Sequence, residues 1–131
     1  MKGLYIHIPF CVKKCAYCDF YSLPARLHSR EAYVDAVPRE SEAYAGLSFQ
    51  TMYLGGGPPS LLGGKSVIDL IGGLRKSLDL SHLVEATIEV NPESASREFF
   101  EAVKEAGINR VSIGVQSLSD DELRAVGRIH T

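Results

Sequence analysis

Long apolar runs, an excess of charge of one sign and a fourth cysteine are all missing from this 131-residue sequence. No stretch approaches the roughly 18 apolar residues that a membrane-spanning helix requires, and MKGLYIHIPF is too short and too interrupted for a signal peptide. Fourteen basic and sixteen acidic residues give a net charge of -2 without a basic stripe, so a nucleic-acid or anionic-membrane partner has no electrostatic support. We therefore expect a cytoplasmic protein whose ligands are small molecules.

The apolar residues that are present change their period along the chain in a regular order, which predicts four strand-then-helix units. The strands are predicted at residues 3–8, 51–54, 86–90 and 110–115, and the helices at residues 29–45, 67–78, 95–106 and 120–126. Ser29 and Ser119 are predicted helix N-caps, and Gly107 a C-terminal cap. This alternation implies a parallel α/β sheet with right-handed crossovers. Ligands of such sheets collect at the carboxyl ends of the strands, so the four loops there are expected to line one rim.

Two features weaken the predicted helices. Pro38 inside the first helix costs about 3 kcal/mol, and Gly72 and Gly73 weaken the second by about 1 kcal/mol each. A kink or a break is expected at both places. The fourth strand would also leave an unpaired sheet edge after Val115, which favours aggregation. We therefore expect the chain to be incomplete at its carboxyl end and poorly soluble alone.

All three cysteines lie within eight positions, in the segment CVKKCAYC after the first strand. In a reducing compartment, clustered cysteines are metal ligands or catalytic thiols more often than disulfides. Thiolates suit iron–sulfur clusters, zinc and copper(I), and the Cys-x3-Cys-x2-Cys spacing lets one loop reach three corners of a cubane while the fourth stays open. A closed zinc site would need a fourth ligand from His7, His28, His82 or His130. A redox pair of Cys15 and Cys18 is the other alternative.

Further motifs follow the cysteines at the ends of the predicted strands. The segments YIHIPFCVKKCAYCDF, YLGGGPPS, IEVNPES, VSIGVQS and GRIHT together resemble the radical S-adenosylmethionine (SAM) enzymes, in the branch that contains the haem chaperone HemW and oxygen-independent coproporphyrinogen III oxidase. The resemblance implies a partial (β/α)6 barrel with about four βα units, and residues 1–131 are then an incomplete radical SAM core domain. It also implies that Cys11, Cys15 and Cys18 hold a [4Fe-4S] cluster and that SAM occupies the open iron. Reductive cleavage of SAM would then give a 5′-deoxyadenosyl radical.

The same resemblance assigns contacts with SAM to seven further residues. They are Tyr5, Tyr17, Gly56, Gly57, Glu89, Gln116 and Arg128. The two glycines would meet the amino group of SAM, the glutamate and glutamine its ribose, the arginine its carboxylate and Tyr17 its adenine. Without the resemblance, the glycines are consistent with a turn, Glu89 with an outward-facing strand residue, Arg128 with a surface arginine and the tyrosines with ordinary packing.

Two positions depart from the pattern of the family. Pro58 stands where the family usually carries threonine, and a proline has no N–H to donate to SAM. Phe20 stands where coproporphyrinogen III oxidases typically carry a further cysteine, which favours a HemW-like haem chaperone. The expected partners are SAM, haem or a porphyrinogen, and an electron-donor protein. The alternatives are a coproporphyrinogen III oxidase and a non-enzymatic, metal-structured module.

Overall fold

Four parallel strands form one sheet in a computed structural model that describes residues 1–23 and 28–131. The strands are β1 (Gly3–Ile8), β2 (Thr51–Gly56), β3 (Glu85–Val90) and β4 (Arg110–Ile113), and they neighbour one another in chain order. The helices are α1 (Arg30–Ser41), α2 (Gly64–Leu74), α3 (Arg97–Glu105) and α4 (Asp120–Ala125). The predicted α/β fold with four strand-then-helix units is confirmed.

The two faces of the sheet carry different side chains because successive strand residues point to opposite sides. One face is apolar and packs with the first three helices in a single core. Its central members are Ile6, Ile8, Met52, Leu54, Ile88 and Val90. The other face carries polar and aromatic side chains, with Tyr5 beside Tyr53 and Tyr53 beside Thr87 in the strand register. Polar residues within the strands therefore mark the face that is free of helices.

Of the kink or break expected at Pro38, the break is wrong, since α1 runs through this residue to Ser41. Likewise, α2 contains both Gly72 and Gly73 and ends at Leu74. A side chain at position 73 would lie 2.6 Å from Cγ of Pro38. The two residues that weaken the helices therefore meet, and the absence of a side chain at Gly73 makes room for the proline ring.

The three predicted caps lie at the helix ends, and the Ser29 side chain is the one of them that makes no capping bond. The Ser119 side chain accepts a hydrogen bond from the Glu122 N–H at the start of α4, and Gly107 adopts a φ of 101° after α3. Ser29 is the N-cap residue of α1, as predicted, but its side chain makes no capping hydrogen bond. The α3 cap is Ser96, which accepts from the Phe99 N–H, and α3 therefore begins two residues later than predicted.

The outer strands of the sheet are β1 and β4. Three apolar residues on and after β4, namely Val111, Ile113 and Val115, are more than one-third exposed. They extend from the apolar face of the sheet, where the first three helices cover the other strands. Within the described part of the chain, no helix has the length and apolar character needed to cross a membrane.

Candidate functional site

The loops after all four strands meet at the carboxyl edge of the sheet, as the sequence predicts, and enclose one depression. Its lining includes nine of the ten residues singled out from the sequence. These are Cys11, Cys15, Cys18, Tyr17, Gly56, Gly57, Glu89, Gln116 and Arg128. Tyr5 is the exception, because it lies beside Tyr33 and Val37 in a separate groove along β1. Pro58 and Phe20, the two departures from the family pattern, also line the depression.

The cysteine loop is closed at its base by two contacts with β1 and the residue that follows it. The Leu23 N–H donates to the Pro9 carbonyl at 2.6 Å, and His7 Nε2 lies 2.8 Å from the Tyr21 carbonyl oxygen. Because a carbonyl can only accept, Nε2 carries the proton, and Nδ1 accepts from the Tyr5 hydroxyl at 2.9 Å. His7 therefore acts as a strand histidine that ties down the loop.

The three cysteines stand on this closed loop as partly exposed free thiols. The Cys18 N–H donates to the Cys15 carbonyl at 3.0 Å, which forms a turn between two of them. In residues 1–23 and 28–131, no three histidine, cysteine or carboxylate side chains are close enough to hold a single metal ion.

The glycines after β2 permit a close approach of the chain to itself. A side chain at Gly57 would lie 1.8 Å from the carbonyl oxygen of Phe10, the residue before Cys11. The Gly57 N–H also donates to the Ile8 carbonyl at 2.6 Å. At Gly56, φ is 106° and a side chain would meet the His7 ring at 2.5 Å. Both glycines therefore seat the base of the cysteine loop against β2.

Glu89 faces the depression and is held by two donors. The Tyr53 hydroxyl donates to Oε1 at 2.6 Å, and the Gly56 N–H donates to Oε2 at 3.1 Å. Burial raises the pKa of Tyr53 to about 12, with further contributions from the hydrogen bond and the charge of Glu89. Tyr53 therefore stays protonated and orients the carboxylate, whose remaining lone pairs can accept from a ligand. Nothing in the sequence singled out Tyr53, because its partner lies on another strand.

Arg128 spans the depression from the segment after α4. Its NH1 group lies 3.5 Å from Cys15 Sγ and 3.4 Å from the Tyr17 hydroxyl. Its NH2 group donates to the Gly114 carbonyl at 2.8 Å and to Asn91 Oδ1 at 3.2 Å. The Nε atom is buried without a partner. The guanidinium thus joins the cysteine loop to the loops after β3 and β4.

Gln116 has a strained backbone. Its φ of 67° is the one positive value among the non-glycine residues that the structure describes. Such a conformation is disfavoured for a side chain with a Cβ and is typical of residues held for a function. The turn brings Gln116 to the lining of the depression, which also includes Glu89.

Comparison with known proteins identifies the family of this site. The model of the radical SAM superfamily matches residues 5–131. The chain belongs to the radical SAM superfamily. Both the recognition of this superfamily and the expected partial barrel are thereby confirmed.

The relatives place this radical SAM chain in the predicted branch. It is 43% identical over 133 residues to the heme chaperone HemW of Escherichia coli (strain K12), with 98% of this chain and 35% of the relative covered. It is 37% identical to radical S-adenosyl methionine domain-containing protein 1, mitochondrial, of Danio rerio, with 98% of this chain and 30% of that protein covered. The solved structure of coproporphyrinogen III oxidase (HemN) from Escherichia coli superimposes with a TM-score of 0.86 at 30% identity, with 98% of this chain and 31% of the solved chain covered. The chain spans about a third of the length of these proteins.

Proposed function

We propose that this chain binds a [4Fe-4S] cluster through Cys11, Cys15 and Cys18 and binds SAM at the iron that has no cysteine ligand. The observation that carries the proposal is the placement of three free thiols in the same depression as Glu89, Gln116 and Arg128. When bound, such a cluster supplies one electron for reductive cleavage of the SAM sulfonium. The chain's own residues would bind and orient SAM beside it.

The donor set fits a cluster better than a single zinc ion. A closed zinc site brings four ligands to one metal, whereas in a four-iron cluster each thiolate binds a different iron. Three of the histidines that a zinc site would recruit are engaged elsewhere. His7 contacts Tyr5 and Tyr21, His82 pairs with Asp79, and His130 pairs with Glu93.

The polar residues of the depression match the groups of SAM in charge and hydrogen bonding. The Glu89 carboxylate can accept from ribose hydroxyls, and the Gln116 amide can both donate and accept. Arg128 supplies a planar cation for the methionine carboxylate. Its buried, unpartnered Nε supports this role, because a buried donor without an acceptor costs free energy that a ligand can recover.

Electron paramagnetic resonance of the anaerobically reconstituted and reduced chain, with and without SAM, tests the proposal. A cluster with an open iron changes its signal when SAM binds there. If the protein contains iron but its signal does not change when SAM is added, the proposed SAM binding is contradicted and the proposed cluster is supported. Reconstituted protein without iron would contradict both.

The first prediction concerns the residues that contact SAM. Glu89→Gln, Gln116→Ala and Arg128→Ala are each expected to weaken SAM binding by about 1–3 kcal/mol while iron content stays unchanged. Each substitution leaves a polar group of the ligand or of the depression without its partner. Calorimetry of SAM binding and iron analysis on the same samples measure the two quantities. Glu98→Gln, on the exposed side of α3, is the matched control and should bind SAM like the wild type.

We further propose that the protein is a haem chaperone of the HemW type, supplied with electrons by a partner protein. This proposal is supported by the similarity to HemW and by Phe20, which is 57% exposed in the lining where an oxidase is expected to carry a cysteine. The phenyl ring offers an apolar contact to a ligand in place of a redox-active thiol. An oxygen-independent coproporphyrinogen III oxidase is the second candidate, favoured by the structural similarity to HemN.

The second prediction separates these two candidates. The full-length protein is expected to bind haem and to leave coproporphyrinogen III unchanged under anaerobic conditions with SAM and a reductant. Haem binding is followed by absorbance, and conversion to protoporphyrinogen by chromatography. Turnover of coproporphyrinogen III would reject the chaperone proposal in favour of the oxidase.

A further inference from the structure

His130 is a buried histidine at the carboxyl end of the described chain, and the proposed SAM site makes no direct use of it. Its side chain is 6% exposed. Nε2 lies 3.0 Å from the Val115 carbonyl oxygen, and Nδ1 lies 3.4 Å from Glu93 Oε2 without forming a hydrogen bond. Both ring nitrogens thus face oxygen atoms.

These contacts fix where the protons of the ring can lie. Because the Val115 carbonyl is an acceptor, Nε2 must carry a proton. A hydrogen between Nδ1 and Glu93 Oε2, on either partner, lets the second ring nitrogen bind Glu93 as well. His130 can therefore bridge the segment after β3 and the segment after β4.

The contacts of His130 repeat those of Arg128, two residues earlier. Arg128 joins Asn91, after β3, to Gly114, after β4. His130 joins Glu93, in the 3₁₀ turn after β3, to Val115, after β4. The intervening Ile129 is half exposed. The two side chains thus fasten one segment across the ends of the same two strands.

We propose that His130, held between Glu93 and the Val115 carbonyl, is a latch that positions Arg128 over the cysteine loop. The inference rests on the proposed function in that Arg128 there meets the SAM carboxylate. Glu93 faces the imidazole and also attracts Arg128.

His130 is therefore a positioning residue, and its effect on SAM depends on the bridge to Glu93. Glu93→Ala removes the bridge and is expected to raise the dissociation constant of SAM by about three- to tenfold, with iron content unchanged. Glu93→Gln is expected to keep the wild-type constant, because its amide can donate to Nδ1. Equal SAM binding by the wild type and Glu93→Ala would contradict the latch.

The matched control is His82→Gln. His82 also lies near a carboxylate, with Nε2 3.5 Å from Asp79 Oδ2, but it is exposed and precedes β3 at the opposite edge of the sheet. Its removal should leave the dissociation constant of SAM like that of the wild type. His130→Gln is expected to weaken SAM binding, with iron content unchanged.

A readout that needs no cofactor keeps the latch separate from the proposed function. Nuclear magnetic resonance of the apo chain follows the Arg128 Nε–H signal. We expect this signal to shift in Glu93→Ala and in His130→Gln and to stay in place in His82→Gln. An Arg128 signal that is unchanged in both latch variants would overturn the latch even if SAM binds. If SAM fails to bind while the Arg128 signal behaves as expected, the latch stands and the proposed function fails.

Discussion

Alanine in place of Cys11, Cys15 or Cys18 is expected to reduce the iron content of the anaerobically reconstituted chain from about four atoms to background. The chain has three cysteines and all three lie on one loop, so no spare thiol can replace a missing ligand. A cluster held by two thiolates is exposed to solvent and loses iron. Iron and sulfide analysis, together with the visible absorbance of the cluster, measure the effect.

The control for this experiment lies in the same loop. Asp19→Asn changes an exposed residue beside Cys18 and should leave iron content unchanged. Stoichiometric zinc without iron, in protein purified under strict anaerobic conditions, would contradict the cluster proposal and restore the alternative of a zinc-structured module.

The second large effect is expected for Gly57→Ala. A methyl group at this position would lie within 3 Å of three backbone atoms of Phe10, the nearest being the carbonyl oxygen at 1.8 Å. Backbone atoms cannot rotate away, so the chain before Cys11 has to move by about 1 Å or more. We expect the free energy of unfolding to fall by about 1–3 kcal/mol. Iron incorporation should also fall, because Cys11 moves with Phe10.

Gly72→Ala is the matched control for this substitution. Gly72 lies inside α2, and a side chain there would meet nothing within 4 Å. Alanine at that position is expected to raise the free energy of unfolding by about 0.5–1 kcal/mol, since glycine is the poorer helix former. Urea unfolding of the apo chains compares the two variants.

Iron analysis of Gly57→Ala separates two roles of this glycine. If Gly57 served only as a contact for the SAM amino group, the variant would keep its iron and lose SAM affinity alone. A variant with wild-type iron content and wild-type stability would show that the close approach to Phe10 has no structural consequence.

Many local features of the fold could be predicted because they depend on neighbouring residues. The period of apolar residues located the four strands and their helices, and the predicted boundaries agree with the structure to within a few residues. Ser119 and Gly107 act where their local signals indicate. Ser29 is a correct boundary but makes no side-chain cap, because its local sequence does not determine whether its hydroxyl reaches the helix.

The errors arose where a rule based on neighbouring residues did not account for a contact with a residue distant in the sequence. Pro38 was expected to kink or break α1, but the helix does not break there, and the proline ring packs into the space above Gly73, 35 residues further along the chain. Tyr53 was missed for a similar reason, because its hydroxyl orients Glu89 from a neighbouring strand. Neither partner lies within the few residues over which helix and strand propensities act.

The sequence by itself determined the chemistry of the candidate site: three cysteines at Cys-x3-Cys-x2-Cys spacing, no fourth thiol, and the motifs after each strand in the order of the radical SAM family. Only the tertiary structure decided how these motifs meet. Arg128 reaches Cys15 across 113 positions of sequence, and His130 reaches Glu93 because parallel strands bring their carboxyl ends to one edge. The physical reason is that spacing along a loop sets which groups it can offer, whereas strand order and register set which groups from different loops come into contact.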